Sequence, residues 1–116
     1  MDTLTADQVH QKLLSDNDTV VINTLGKDSF LAKHIPGSIN IPAGEVEDRA
    51  KQVIPDTDQE IIVYCASPDC PASPQAAETL KEMGYSNVYD FEDGIAGWLD
   101  ANYALSREED SKSITA

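Results

Sequence analysis

The nucleophilic residues of this chain are two cysteines, Cys65 and Cys70, separated by four residues. Cys65 follows the apolar run Glu60-Ile61-Ile62-Val63-Tyr64, which reads as a buried strand. Residues 66–72 contain Pro68 and Pro71 and are irregular; Ser73-Pro74 then suits a helix start, with Ser as N-cap and Pro at the first helical position. A strand, a short loop and a helix start together form an anion-binding geometry, because loop amides and the first helical N–H groups converge and the helix dipole adds positive potential. A cysteine at the entrance to such a loop is expected to have its pKa lowered from the ~8.5 of a free thiol. Its thiolate can attack a sulfane sulfur, and the loop residues Ala66, Ser67, Asp69, Cys70, Ala72 and Ser73 would then cradle the persulfide. Two readings stay open here, since a cysteine at a strand end is often a small core residue.

Cys70 is the candidate resolving residue. A tight loop brings such a pair within the ~5.5–6 Å Cα separation of a disulfide, so Cys70 could displace sulfur from Cys65 and leave a Cys65–Cys70 disulfide. The alternative is a loop residue with no role.

The elements that must position these residues alternate between strand and helix. Thr5-Ala6-Asp7-Gln8 is a capping box, followed by Val9, Leu13 and Leu14 at helical spacing, and Asp16-Asn17-Asp18 ends that helix. Residues 19–23 and 38–41 read as strands, 28–32 as a helical turn between them, and 44–53 as a helix burying Val46 and Ala50. The helix after the cysteine loop runs to Met83, with Gly84 as its left-handed terminator. A strand over 87–91 and a helix over 94–99, with Ile95 and Trp98 inward, complete the pattern. The Asp90, Glu92, Asp93 cluster reads as a solvated loop, because no His supports a metal site. Strands separated by helical crossovers imply a mostly parallel sheet covered on both faces. Residues 1–101 form one domain, and 102–116 a polar, mobile tail.

Composition narrows the function class. A chain of 116 residues suits one domain, and two cysteines are too few for a secreted disulfide framework. The net charge of -13 repels nucleic acid and anionic membrane surfaces; it reads as a charged, solvated surface that keeps the protein soluble, or else as one that favours a basic protein partner. The first residues lack the basic and apolar regions of a secretory signal, so a cytoplasmic protein is expected. No cofactor and no metal are expected.

Three segments resemble the rhodanese (sulfurtransferase) family, over residues 4–101. They are His34-Ile35-Pro36-Gly37-Ser38-Ile39-Asn40-Ile41-Pro42, then Ile62-Val63-Tyr64-Cys65 with Ala76, Ala77 and Leu80 beyond the loop, then Gly94-Ile95-Ala96-Gly97-Trp98. The resemblance implies a single α/β domain with a five-stranded, mostly parallel sheet flanked by helices. It also implies Cys65 as the residue that takes and gives sulfur, with a small sulfur donor and a protein or low-molecular-weight thiol as partners. In the family's signature the residue matching His34 is structural, preceding a tight turn.

The chain departs from the family in two places. Many members carry an Arg in a shorter cysteine loop, whereas here the only charge is Asp69, and Pro68 and Pro71 remove two N–H donors. Near the end of the earlier strand, where the family has Asp and Arg, stand Asn23 and Leu25. Thiosulfate, a dianion, is therefore expected to be a poor donor. The competing reading is a catalytically weak rhodanese-like module for binding or redox sensing. A phosphatase or arsenate reductase of this fold would need an Arg where positions 70 and 71 are Cys and Pro.

Overall fold

The computed structural model describes residues 2–15 and 19–106. Short runs rich in β-branched residues form β1 (Asp2–Thr3), β2 (Val20–Asn23), β3 (Ile39–Asn40), β4 (Ile61–Tyr64) and β5 (Val88–Phe91). They pair in the order β1-β5-β4-β2-β3, and every pairing is parallel. The central strand β4 is buried at all four positions, as a parallel strand covered on both faces must be, and this explains its unbroken apolar run.

The helices are α1 (Ala6–Leu14), α2 (Lys27–Ala32), α3 (Val46–Val53), α4 (Ala72–Glu82) and α5 (Gly94–Asp100). On one face Ile22, Ile61, Val63 and Val88 pack against Val46 and Ala50 of α3 and Ala76, Ala77 and Leu80 of α4. On the other, Val21, Ile62, Tyr64 and Phe91 pack against Ala6 and Val9 of α1 and Ile95 and Trp98 of α5. The sheet is thus five-stranded and flanked by helices on both faces, as the resemblance implies. Side chains alternate along a strand, so Asp90, two residues after Val88 and in register with Val63, lies on the α3–α4 face.

Several local expectations are met and others corrected. The Thr5 N–H donates to Gln8 Oε1 at 2.8 Å and the Gln8 N–H to Thr5 Oγ1 at 3.2 Å, closing the capping box. Leu14, grouped above with the buried stripe, is 66% exposed, because it lies about 100° round the helix from Leu13, which makes the contact. The helix stop at 16–18 lies outside the described residues. The helix expected over 44–53 is divided into a 3₁₀ turn, Ala43–Glu45, and α3. His34 is buried, its Nδ1 2.8 Å from the Phe30 carbonyl and its ring stacked on Phe30. Gly37 takes the left-handed φ of +87° in the turn that follows.

Residues 102–106 pack back on the domain. Tyr103 stacks on His10, the Trp98 indole N–H donates to the Ala104 carbonyl at 2.8 Å, and Ser106 and His34 exchange backbone hydrogen bonds. Residues 107–116 of the expected tail lie outside the described residues. No helix among the described residues is long and apolar enough to cross a membrane.

Candidate active site at the end of β4

The end of β4 is held from below by β2 and by the segment before β3. The Thr24 N–H and hydroxyl both donate to the Tyr64 carbonyl, at 3.0 and 2.9 Å. The buried Tyr64 hydroxyl accepts from the Ile35 N–H and from Asn23 Nδ2, each at 3.0 Å, and lies 2.8 Å from Ser38 Oγ. Ser38 directs its own proton to the Ile35 carbonyl at 2.7 Å, which leaves Tyr64 as the donor between them. Burial raises the Tyr64 pKa, so the phenol stays neutral and can donate. Asn23 Oδ1 accepts from the Leu25 N–H at 2.9 Å. An amide therefore orders the turn where the family uses charged residues.

From the other side, α5 grips the start of the cysteine loop. The Ile95 N–H donates to the Cys65 carbonyl and the Ala96 N–H to the Ala66 carbonyl, both at 2.9 Å. This approach is open only to glycine at position 94. Gly94 has φ +60°, and a Cβ there would lie 2.1 Å from the Cys65 carbonyl oxygen. The Gly94-Ile95-Ala96-Gly97-Trp98 segment thus serves the site through its backbone, while Ile95 and Trp98 anchor it in the core.

The sulfurs themselves differ from expectation. Cys65 is only 1% exposed, with Sγ 3.5 Å from Ser73 Oγ, 3.4 Å from the Cys70 carbonyl and 3.9 Å from the Ser67 carbonyl. Burial pushes its pKa above that of an ordinary thiol and the neighbouring Cys70 adds to this, against the opposing hydroxyl and N–H of Ser73. The lowering expected from loop geometry is therefore not found at Cys65: two carbonyl oxygens face its sulfur, and they stabilise a thiol. At the half-buried Cys70, burial also acts upward, but hydrogen bonds from the Cys65 thiol and the Ala72 and Ala66 N–H groups outweigh it and bring the pKa down. Both N–H groups favour the Cys70 thiolate.

Ser73 is not the N-cap. Pro71 already has helical backbone angles, so α4 begins at Ala72 and has no side-chain cap. Ser73 lies in the first turn, 1% exposed, with its hydroxyl turned inward. The loop brings Ser73 and Cys70 to Cys65 and brings Ala66 and Ala72 to Cys70; Ser67 contributes its carbonyl, and Asp69 is exposed.

Asp90 corrects the reading of a solvated acidic cluster. Glu92 and Asp93 are exposed, but Asp90 is only 4% exposed and its Oδ1 has no partner; burial raises its pKa, and the Ser73 hydroxyl acts against that rise. The alternation Val88, Asp90 on one face of an apolar strand was the signal, and the charge of the cluster hid it. Beside the loop lies a hollow of about 390 Å³ lined by Pro68, Asp93, Ala96, Gly97, Asp100 and Ala101, whose ionisable groups are both acidic.

Comparison with known proteins agrees with this architecture. The family model for the rhodanese-like domain matches residues 5–101. The chain is 39% identical over 61 residues to the thiosulfate sulfurtransferase PspE of Escherichia coli (strain K12), covering 53% of this chain and 57% of that one. It is 30% identical over 87 residues to the thiosulfate sulfurtransferase GlpE of Pseudoalteromonas translucida (strain TAC 125), covering 75% of this chain and 79% of that one. The crystal structure of the BH2092 protein from Bacillus halodurans superimposes with a TM-score of 0.84 at 19% identity, over 92% of this chain and 77% of that one. The chain spans about half the length of the first two curated relatives it matches. With the family model matching residues 5–101, most of its length, the chain belongs to the rhodanese-like domain family.

Proposed function

We propose that the protein is a sulfurtransferase that moves sulfane sulfur through a persulfide on Cys65 to a thiol acceptor. The observation that carries this reading is the placement of Cys65 Sγ at the β4–α4 junction, within reach of the Ser73 hydroxyl and the Cys70 thiol. Two family relatives named as thiosulfate sulfurtransferases support the reaction class. The donor is a different matter. The loop holds no cation and the hollow beside it carries Asp93 and Asp100, so a dianion lacks a charge-assisted hydrogen bond. That loss costs about 1.5–3 kcal/mol, roughly ten- to a hundredfold in affinity. A low-molecular-weight persulfide suits this site better than thiosulfate. Mass spectrometry of the chain after treatment with glutathione persulfide should show one added sulfur on Cys65, and thiosulfate at the same concentration should load it far less. Absence of any Cys65 adduct from either donor overturns the proposal, and efficient turnover at submillimolar thiosulfate overturns the donor preference.

A second reading rests on the hydrogen-bonded thiol pair. The Cys70 thiolate, held by the Ala66 and Ala72 amides, can attack Sγ of a Cys65 persulfide, forming the Cys65–Cys70 disulfide and expelling hydrosulfide. A thiol reductant then restores both thiols, which makes the domain a dithiol redox module. If Cys70→Ser leaves hydrosulfide release unchanged, this role is wrong.

A further inference from the structure

Asp90 is a buried carboxyl beneath the cysteine loop that no step above uses. Its Oδ1 is buried without a partner, and its charge is favoured by the Ser73 hydroxyl, whose oxygen lies 3.5 Å from Cys65 Sγ. The titratable groups around it are Cys65 and Cys70 in the loop, reached through Ser73 or directly, and Glu92, just past the end of β5. No salt bridge among the described residues involves it. A serine hydroxyl has one proton. When that proton goes to the Asp90 carboxylate, Ser73 offers Cys65 only an acceptor, which suits a thiol. When Asp90 is itself protonated, it donates to Ser73, and Ser73 is free to donate to an anionic sulfur.

We propose that Asp90 takes up the Cys65 proton through Ser73 when Cys65 is loaded with sulfur, so that the persulfide anion is balanced by a neutral carboxyl instead of by a cation. This rests on the sulfur-transfer reading above and deepens it. The step balances without solvent. Cys65–SH and Asp90–COO⁻ with a hydropersulfide R–S–SH become Cys65–S–S⁻ and Asp90–COOH with R–SH. The donor S–S bond breaks, and its inner sulfur leaves as the thiol after taking up the proton that the outer sulfur carried. Cys65 Sγ forms the new bond to the outer sulfur, and its own proton passes to Asp90. The sulfane sulfur keeps its oxidation state, and the site's net charge stays at minus one. Burial, which already raises the Asp90 pKa, assists in holding that proton. Asp90 acts through Ser73 as a positioning residue and touches no donor atom.

The test is a pH titration of the Asp90 side-chain carboxyl by carbon NMR, with the Cys65 adduct checked by mass. In the unloaded chain the Asp90 signal should show a second inflection at the pH where Cys65 ionises, and Cys65→Ser should abolish it. Loading Cys65 from glutathione persulfide should raise the Asp90 midpoint by at least about one pH unit, a tenfold shift in its proton affinity. Ser73→Ala should cut both effects while leaving Asp90 buried. An Asp90 titration unaffected by Cys65→Ser and by loading overturns the inference. Because the first comparison needs no donor, a chain that never acquires sulfur would refute the sulfurtransferase reading separately.

Discussion

Replacing Tyr64 with Phe removes one oxygen from a fully buried side chain and leaves its ring volume unchanged. That oxygen serves three groups, the Ile35 N–H, Asn23 Nδ2 and Ser38 Oγ. Ser38 keeps its bond to the Ile35 carbonyl and loses little. The Ile35 N–H cannot turn away, since the backbone there is fixed between His34, tied to Ser106, and the Ser38 turn. Each orphaned buried group costs about 1–3 kcal/mol. Counting the Ile35 N–H in full and the Asn23 amide in part gives about 2–4 kcal/mol, a large fraction of the ~5–15 kcal/mol that holds a domain together. Urea unfolding followed by circular dichroism should show a midpoint about 1–2 M lower with an unchanged slope. Asn23→Ala on the Tyr64→Phe background should then cost less than Asn23→Ala alone, because the pair shares one bond. A loss under about 1 kcal/mol, or additive effects, would refute the view that this hydroxyl ties the two parallel strands and the His34–Pro36 segment into one support for Cys65.

Gly94→Ala forces a Cβ to within 2.1 Å of the Cys65 carbonyl at a left-handed backbone position; with about 1–2 kcal/mol for the conformation and two strained hydrogen bonds, the loss is about 3 kcal/mol or more, read as a thermal midpoint lower by about 10 °C or more. Under limiting iodoacetamide, Cys70 should be alkylated at least about tenfold faster than Cys65, because it is half-exposed and its pKa is lowered while Cys65 is buried and raised; peptide mapping that finds Cys65 labelled first contradicts this ordering. Asp90→Asn tests the linkage of the buried carboxyl to stability. Its folded-state pKa is raised, so its contribution is fully present below the ordinary carboxylate range and is lost as pH rises through the raised value. The stability of Asp90→Asn relative to the parent should therefore rise with pH across that window and level off above it, and a difference that is flat with pH refutes the assignment.

The fold was legible because its signals are local and repeated. β4 is apolar at every position, and the Thr5–Gln8 box and the glycine at 84, with φ +101°, act within a few residues. Cys65 was legible as the residue at the end of that strand. What could not be read was the direction in which groups point inside the loop. One residue decides it. Because Pro71 is itself helical, α4 starts two residues early, and Ser73 turns from a cap on the surface into a buried hydroxyl between a thiol and a carboxyl. The same shift leaves carbonyls against Cys65 and amides against Cys70, so the lowered pKa expected at Cys65 falls on Cys70 instead.

Asp90 shows why composition misled. Three acids in four positions suggest a solvated patch, yet a parallel strand covered on both faces buries its residues whatever their charge. A carboxylate with an unpaired oxygen is costly there, and a loop without any cation gives it no relief. On the proposed sulfur-transfer reading both peculiarities have one resolution: a site that holds an anionic persulfide beside an acid can exchange a proton between the two, and then needs no arginine.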